Sequence, residues 1–131
     1  MSNLVKFSLI AAGGAAGALL RYFVSGWAYR WAGTGFPWGT LSVNVLGSFV
    51  IGFLWAASER TPFGPRWTPF VFIGVLGAFT TFSTYALESL NLVREGELRL
   101  AVVNLFASNV LALLAVVLGF LSARYLFASF R

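Results

Sequence analysis

The stretch GAFTTFSTY, from Gly77 to Tyr85, lies in the middle of the third of four apolar runs in the chain. A glycine followed by β-branched threonines and aromatic residues forms a helix poorly. Interrupted backbone at membrane depth is tolerated only where it is buried in protein or lines a cavity. In transporters, broken helices of this kind hold ions through freed carbonyl groups and half-helix ends. The stretch therefore predicts a broken third span at a functional site.

The composition of the chain is that of an integral membrane protein. Of its 131 residues, 59% are hydrophobic and only 10% are charged, and nine Lys/Arg against four acids give a formal net charge of +5. An ordinary soluble domain is about 25% charged. The cations form no dense patch with interleaved aromatic residues, so nucleic acid is not an expected partner.

The residue types that are missing exclude several kinds of chemistry. The chain contains no cysteine, histidine or aspartate. This rules out disulfides, metal sites built from thiolate or imidazole, and catalytic triads that need His or Cys. The sequence also lacks an ATP-binding loop. We therefore expect a passive membrane protein and not an enzyme.

Four largely uncharged runs predict four membrane-spanning helices, because about 20 apolar residues are needed to cross the hydrocarbon. We predict an all-α fold with a single transmembrane domain over residues 1–131. The predicted helices cover approximately residues 4–29, 40–58, 67–93 and 98–126. No cleavable signal peptide is expected, because the first apolar run lacks a convincing small-residue cleavage site.

Local residue types predict where helices begin and end. Thr40 is the predicted N-cap of the second helix. Pro62, Gly64 and Pro65 predict a turn that separates this helix from the third span. Gly96, among alternating charges, predicts a tight polar turn before the fourth span.

The cationic residues are divided almost evenly between the two sides of the membrane. With four spans, the side that holds both termini carries Lys6, Arg60, Arg66, Arg124 and Arg131. The other side carries Arg21, Arg30, Arg94 and Arg99. This distribution has almost no positive-inside bias. It is compatible with insertion in both orientations and pairing of opposite copies, and equally with a weakly specified single topology.

Small residues recur at helical spacing, as in the pair Gly13 and Gly17 and the pair Ser48 and Gly52. Such residues let helices approach closely in lipid, where no hydrophobic effect drives their association. We predict a packing role for them. A four-helix chain this short encloses too little volume for an aqueous pathway of its own, so we also expect a dimer.

Uncharged polar side chains inside the spans are the candidate functional groups. They are Asn44, Thr80, Thr81, Ser83, Thr84, Asn104, Ser108 and Asn109. Asn104 and Ser108 are four residues apart and share a helix face, whereas Asn109 turns away. For any single residue, a hydrogen bond between helices is the favoured interpretation. As a set they are rich in donors and uncharged, which suits a small, strongly hydrated anion that needs replacement hydrogen bonds.

Two aromatic residues and one acid complete the candidates. Phe82 and Tyr85 are three residues apart and share a face of the helix that follows the break. The edge of an aromatic ring is positive, so two rings presented edge-on would attract an anion without binding it tightly. Glu88 is the only acid inside a span, and we interpret it as a partner for polar groups near a membrane interface.

The motifs GTLSVN at 39–44 and GAFTTFSTY at 77–85 together resemble the CrcB/Fluc fluoride channels. The resemblance extends over essentially the whole chain, including its length, its four spans, the early Arg21 and the polar fourth helix. It implies an antiparallel, dual-topology homodimer with two fluoride pores and a central structural sodium ion. The implied function is passive export of fluoride across the bacterial inner membrane.

The resemblance also implies roles for individual residues. Asn44 would donate its side-chain amide to fluoride, Phe82 would present its ring edge, and Ser108 would supply a hydroxyl. The backbone carbonyls of Gly77 and Thr80 would hold the sodium, and Arg21 would lend positive potential near a pore entrance. The full set of implied pore residues is Asn44, Phe82, Thr84, Tyr85, Asn104 and Ser108.

The chain departs from the family pattern at two of these positions. Tyr85 stands where the family commonly has a second phenylalanine, which leaves ring-edge coordination possible and adds a hydroxyl. Asn104 stands where some members have tyrosine.

Two functions of other classes remain as alternatives. A small, dual-topology, proton-coupled multidrug exporter would share the size and the spans of this chain. It would need a carboxylate in the first span, where this sequence has Arg21 and no acid occurs before Glu59. A non-catalytic assembly subunit of a larger membrane complex would leave the broken third span unexplained.

Overall fold

The computed structural model describes residues 1–61 and 63–128, so Pro62 of the predicted turn and Arg131 of the charge distribution lie outside it. The described chain is all-helical. Its elements are α1 (Asn3–Ala32), α2 (Trp38–Arg60), a π-helix (Thr68–Leu76), α3 (Gly77–Phe79), α4 (Phe82–Arg94) and α5 (Leu98–Ala128). The π-helix, α3 and α4 together form the third span, and four helical segments are long and apolar enough to cross a membrane. The protein is therefore a multi-pass membrane protein.

The first helix is longer than the sequence predicts at its C-terminal end. The Ser2 hydroxyl caps its N-terminus by accepting from the Val5 N–H. The helix continues past residue 29 to Ala32 and stops at Gly33, where φ is +82°. Glycine adopts this left-handed conformation without the steric cost that a Cβ would add.

The predicted N-cap of the second helix is wrong. The helix begins at Trp38, directly after Pro37, and Thr40 lies inside it. Proline fixes its own φ near the helical value, so the chain turns into the helix before it reaches Thr40. The Thr40 hydroxyl instead donates to the Glu88 carboxylate across the helix interface, at 2.9 Å.

Glycines let the helices pack backbone to backbone. At Gly13 and Gly17, α1 lies directly against carbonyl groups of the π-helix, and at Gly52 and Gly119 the backbones of α2 and α5 touch each other. A Cβ at any of these positions would collide with a carbonyl oxygen of the neighbouring helix. The predicted packing role of the small residues agrees with these contacts.

The third span is broken, as the sequence predicts. Thr80 and Thr81 have extended backbone, with φ/ψ of −83°/156° and −151°/117°. The sequence did not predict that the half before the break is a nine-residue π-helix. π-Helical turns are rare and occur frequently at functional sites.

Candidate functional site

The break in the third span opens onto a cavity of about 430 Å³ between α2, the third span and α5. The break residues Gly77, Thr80 and Thr81 form one wall of this cavity, which we call the break cavity. Its other polar or aromatic lining residues are Asn44, Ser48, Phe72, Phe82, Tyr85, Ser108 and Asn109. Every lining residue in the described part of the chain is uncharged.

Asn44 holds the break in place with both polar atoms of its side chain. Its Nδ2 donates to the Thr81 carbonyl at 3.0 Å, and its Oδ1 accepts from the Thr81 N–H at 2.8 Å. The amide thus satisfies both backbone groups of a residue that has left the helix, which would otherwise cost about 1–3 kcal/mol for each group. Nδ2 carries a second hydrogen, which that bond to Thr81 does not use.

Two hydrogen bonds at the break divert backbone N–H donors away from two carbonyl groups. In a continuous helix the Thr81 N–H would donate to the Gly77 carbonyl four residues earlier, but here it donates to Asn44. The Thr84 N–H likewise donates to the Thr81 hydroxyl at 3.3 Å, not to the Thr80 carbonyl. Gly77 and Thr80, the predicted sodium ligands, therefore lose their regular helical donors.

The two aromatic rings of α4 meet beside the break. The centroids of Phe82 and Tyr85 are 5.2 Å apart with an interplanar angle of 56°, in agreement with a shared helix face. Their environments differ, because Phe82 is 75% exposed on this chain and Tyr85 is only 6% exposed. Phe82 therefore presents its ring at the surface of the chain, and Tyr85 presents its ring in the interior.

Asn104 lies behind the cavity and not in its wall. It is 1% exposed, its Nδ2 donates to the Ser89 hydroxyl at 2.9 Å, and its Oδ1 accepts from the Ser108 hydroxyl at 3.1 Å. Ser89 in turn donates to the Tyr85 carbonyl at 2.8 Å. This chain of bonds ties α5 to α4, and of its two α5 members only Ser108 also lines the break cavity.

Asn109, a candidate by residue type that the implied set of pore residues leaves out, also lines the break cavity. It turns away from the face of Asn104 and Ser108, as predicted, but the cavity is wide enough for Ser108 and Asn109 to line it together. Asn109 Nδ2 donates to the Tyr85 hydroxyl at 2.9 Å and to the Leu105 carbonyl at 2.7 Å. An amide inside a span, opposite a tyrosine hydroxyl on another span, was the available signal.

Arg21 and Thr84 line a different cavity from the other predicted site residues. This second cavity, which we call the charged cavity, has a volume of about 460 Å³ and is also lined by Tyr29, Thr40, Thr81 and Glu88. The Glu88 Oε1 accepts from the Tyr29 hydroxyl at 3.1 Å and from Thr40 at 2.9 Å. Within the described residues, the other carboxylate oxygen, Oε2, is buried without a hydrogen-bond donor. Glu88 thus binds polar groups of two other helices, as interpreted from the sequence.

Comparisons with known proteins agree over most of the chain. A family model described as CrcB-like protein, Camphor Resistance (CrcB), matches residues 8–120. A protein of Parabacteroides distasonis named fluoride-specific ion channel FluC is 47% identical over 116 residues, which cover 88% of this chain and 91% of the relative. A relative with the same name from Magnetococcus marinus is 46% identical over 121 residues, which cover 92% of this chain and 98% of the relative. Another from Shewanella amazonensis is 50% identical over 110 residues, which cover 84% of this chain and 89% of the relative. With its fold, its broken third span and these matches, the chain belongs to the CrcB family.

Proposed function

We propose that this protein is a passive, fluoride-selective channel subunit. The observation that carries the proposal is the break cavity, which is lined by neutral donors and aromatic rings and lies beside a broken backbone that Asn44 pairs at Thr81. The relatives named fluoride-specific ion channel support the same function.

The residues that line the cavity suit weak, reversible binding of an anion, as conduction requires. A carboxylate in the wall would repel fluoride, and a fixed cation in the wall would hold it too strongly for rapid release. Asn44 offers the second hydrogen of its amide, and Ser108 offers its hydroxyl, which rotates away from Asn104 to reach an ion. Phe82 and Tyr85 offer the positive edges of their rings.

We propose that two antiparallel copies of the chain form the working channel. Phe82 lies 75% exposed beside the break, so in a lone subunit the ring would face lipid where the proposal needs it to face an ion. A second copy in the opposite orientation would cover this ring and close the cavity. The nearly even charge distribution gives little preference for one orientation, which supports insertion of both.

A dimer would also provide a new partner for the carbonyl groups of Gly77 and Thr80, which have lost their helical donors. The carbonyls of Gly77 and Thr80 from both copies would give four oxygen ligands around one central sodium ion. The sodium would supply structural positive charge and would join the two broken helices, in line with carbonyl coordination at broken helices of other membrane proteins. It would remain in place while fluoride passes.

The other predicted residues take peripheral roles in this proposal. From its position in the wall of the charged cavity, Arg21 would raise the local concentration of anions near a pore entrance. Thr84 would accompany it there, and Asn104 would hold α5 against α4 through its bond to Ser89. The working location would be the bacterial inner membrane, where the channel would export fluoride from the cytoplasm.

Ion flux from proteoliposomes tests the function directly. Purified protein is reconstituted in vesicles loaded with potassium fluoride or potassium chloride, with a low concentration of a sodium salt on both sides, and valinomycin starts efflux by setting the voltage. We expect rapid fluoride efflux and chloride efflux no faster than in protein-free vesicles. Equal rates for the two anions, or no fluoride efflux, would contradict the proposal. Fluoride efflux that requires a proton gradient would instead favour coupled transport.

A further inference from the structure

The hydrogen bonds of Asn109 determine the orientation of its amide. One of its amide atoms lies 2.7 Å from the Leu105 carbonyl oxygen, which can only accept hydrogen bonds. That atom must therefore be the nitrogen Nδ2, because an oxygen there would face another acceptor. The same nitrogen lies 2.9 Å from the Tyr85 hydroxyl, so each of its two hydrogens has an acceptor.

This orientation determines what the Tyr85 hydroxyl can do. Its oxygen accepts from Asn109, so its own hydrogen must point elsewhere. Among the described residues, no group accepts that hydrogen. Tyr85 is 94% buried and lines the break cavity. A buried donor without an acceptor is costly, and an anion in the cavity would provide the missing acceptor.

We propose that Asn109 is a positioning residue that fixes the Tyr85 hydroxyl as a hydrogen-bond donor to the anion in the break cavity. The inference rests on the proposed channel function and adds a donor to it. A ring edge attracts any anion weakly, whereas a phenolic O–H forms a short, strong hydrogen bond to a small anion of high charge density. The pair therefore favours fluoride over chloride at this point of the pathway.

The pair also explains how this chain uses tyrosine at position 85. A hydroxyl that was free to rotate would donate to whatever acceptor lay nearby, including protein carbonyls. The Asn109 Nδ2 donates one hydrogen to the Leu105 carbonyl and the other to the oxygen of the Tyr85 hydroxyl. Asn109 thereby leaves the cavity as the remaining direction for the Tyr85 hydrogen.

A double-mutant cycle tests the inference. The variants are Tyr85→Phe, which removes one oxygen, Asn109→Leu, which removes the amide at similar volume, and the combination of both. The readouts are the fluoride concentration that gives half-maximal efflux and the permeability ratio of fluoride to chloride. Ser122→Ala is the control, because among the described residues Ser122 bonds only to the Leu118 carbonyl, on the exposed face of α5.

We expect each single variant to raise the half-maximal fluoride concentration by about tenfold, the size of one hydrogen bond to a charged group, and to lower the permeability ratio. The double variant should match the single variants, because Asn109 acts through the hydroxyl that Tyr85→Phe has already removed. The control should match the wild type.

The outcomes separate this inference from the proposed function. No fluoride flux through the wild type would overturn both. Normal wild-type flux with an unchanged half-maximal concentration in either single variant would overturn the inference alone. An effect of Asn109→Leu that persists at full size in the Tyr85→Phe background would also overturn it, because Asn109 would then act without Tyr85. Dimer assembly of each variant is verified by size-exclusion chromatography.

Discussion

The break cavity and the charged cavity have similar volumes, about 430 and 460 Å³, and Thr81 lines both. Their walls differ in charge. The break cavity is lined by neutral donors and rings, whereas the charged cavity contains Arg21 and Glu88. Charge attracts ions over a distance, and neutral dipoles replace lost water without trapping the ion. The comparison shows that charged groups and neutral donors lie on different sides of one unwound residue, Thr81.

The strongest test of the comparison places a charge in the neutral cavity. Asn44→Asp would put a carboxylate into the anion route and lose the donor to the Thr81 carbonyl, and Asn44→Ala would leave Thr81 unpaired. We expect fluoride efflux to fall by about 100-fold or more in both, since two or more hydrogen bonds to buried groups are affected. The matched control is Asn3→Asp, the same change on an exposed residue at the start of α1. Unchanged efflux in both Asn44 variants would remove Asn44 from the pathway.

A second test asks whether the break cavity works only when a second copy of the chain is inserted in the opposite orientation. Two lysines added near Arg30 should bias the subunit to one orientation and lower fluoride efflux by about tenfold when this variant is expressed alone. A variant with two lysines near Arg60 should restore efflux on co-expression, because the two biases are complementary. Full activity of each variant alone would show that antiparallel pairing is wrong.

A third test removes the cation that the carbonyl groups of Gly77 and Thr80 would bind. Without sodium on either side, we expect fluoride efflux to fall several-fold, because the carbonyl groups at the break would lose the cation that satisfies them at membrane depth. The reversal potential of the fluoride current should ignore the sodium gradient, since the ion is structural. Efflux that is indifferent to sodium would make the cation dispensable, and a reversal potential that follows sodium would make it a transported ion.

The smallest expected effect concerns the charged cavity. Arg21→Gln removes the cation but keeps much of the side-chain length, and we expect efflux to fall about twofold to fivefold at low ionic strength. The loss should shrink as salt is added, because screening weakens attraction over a distance. The measurement is the ratio of wild-type to variant efflux at two ionic strengths. A ratio that is independent of salt would place Arg21 in direct contact with the ion and would weaken the comparison.

The sequence predicted the features that depend on local residue type. Apolar runs determine the four spans, and the glycine and threonines around position 80 are poor helix formers, so the break itself was predictable. The N-cap at Thr40 failed because Pro37 starts the helix earlier. The burial of Asn104 and the bond between Asn109 and Tyr85 depend on how α5 is rotated against α4. That rotation is determined by packing between helices, which periodicity in one helix does not encode.

The glycines at the interface of α2 and α5 have a consequence for the size of the anion that can pass. Gly52 and Gly119 bring the two main chains into contact, on the same pair of helices that contributes Asn44 and Ser108 to the lining of the break cavity. The spacing of these two helices is therefore determined by contact between their backbones. We expect this spacing to limit the size of the ion that fits, and a methyl group added at either glycine would act as a wedge between the helices, far from Asn44 and Ser108.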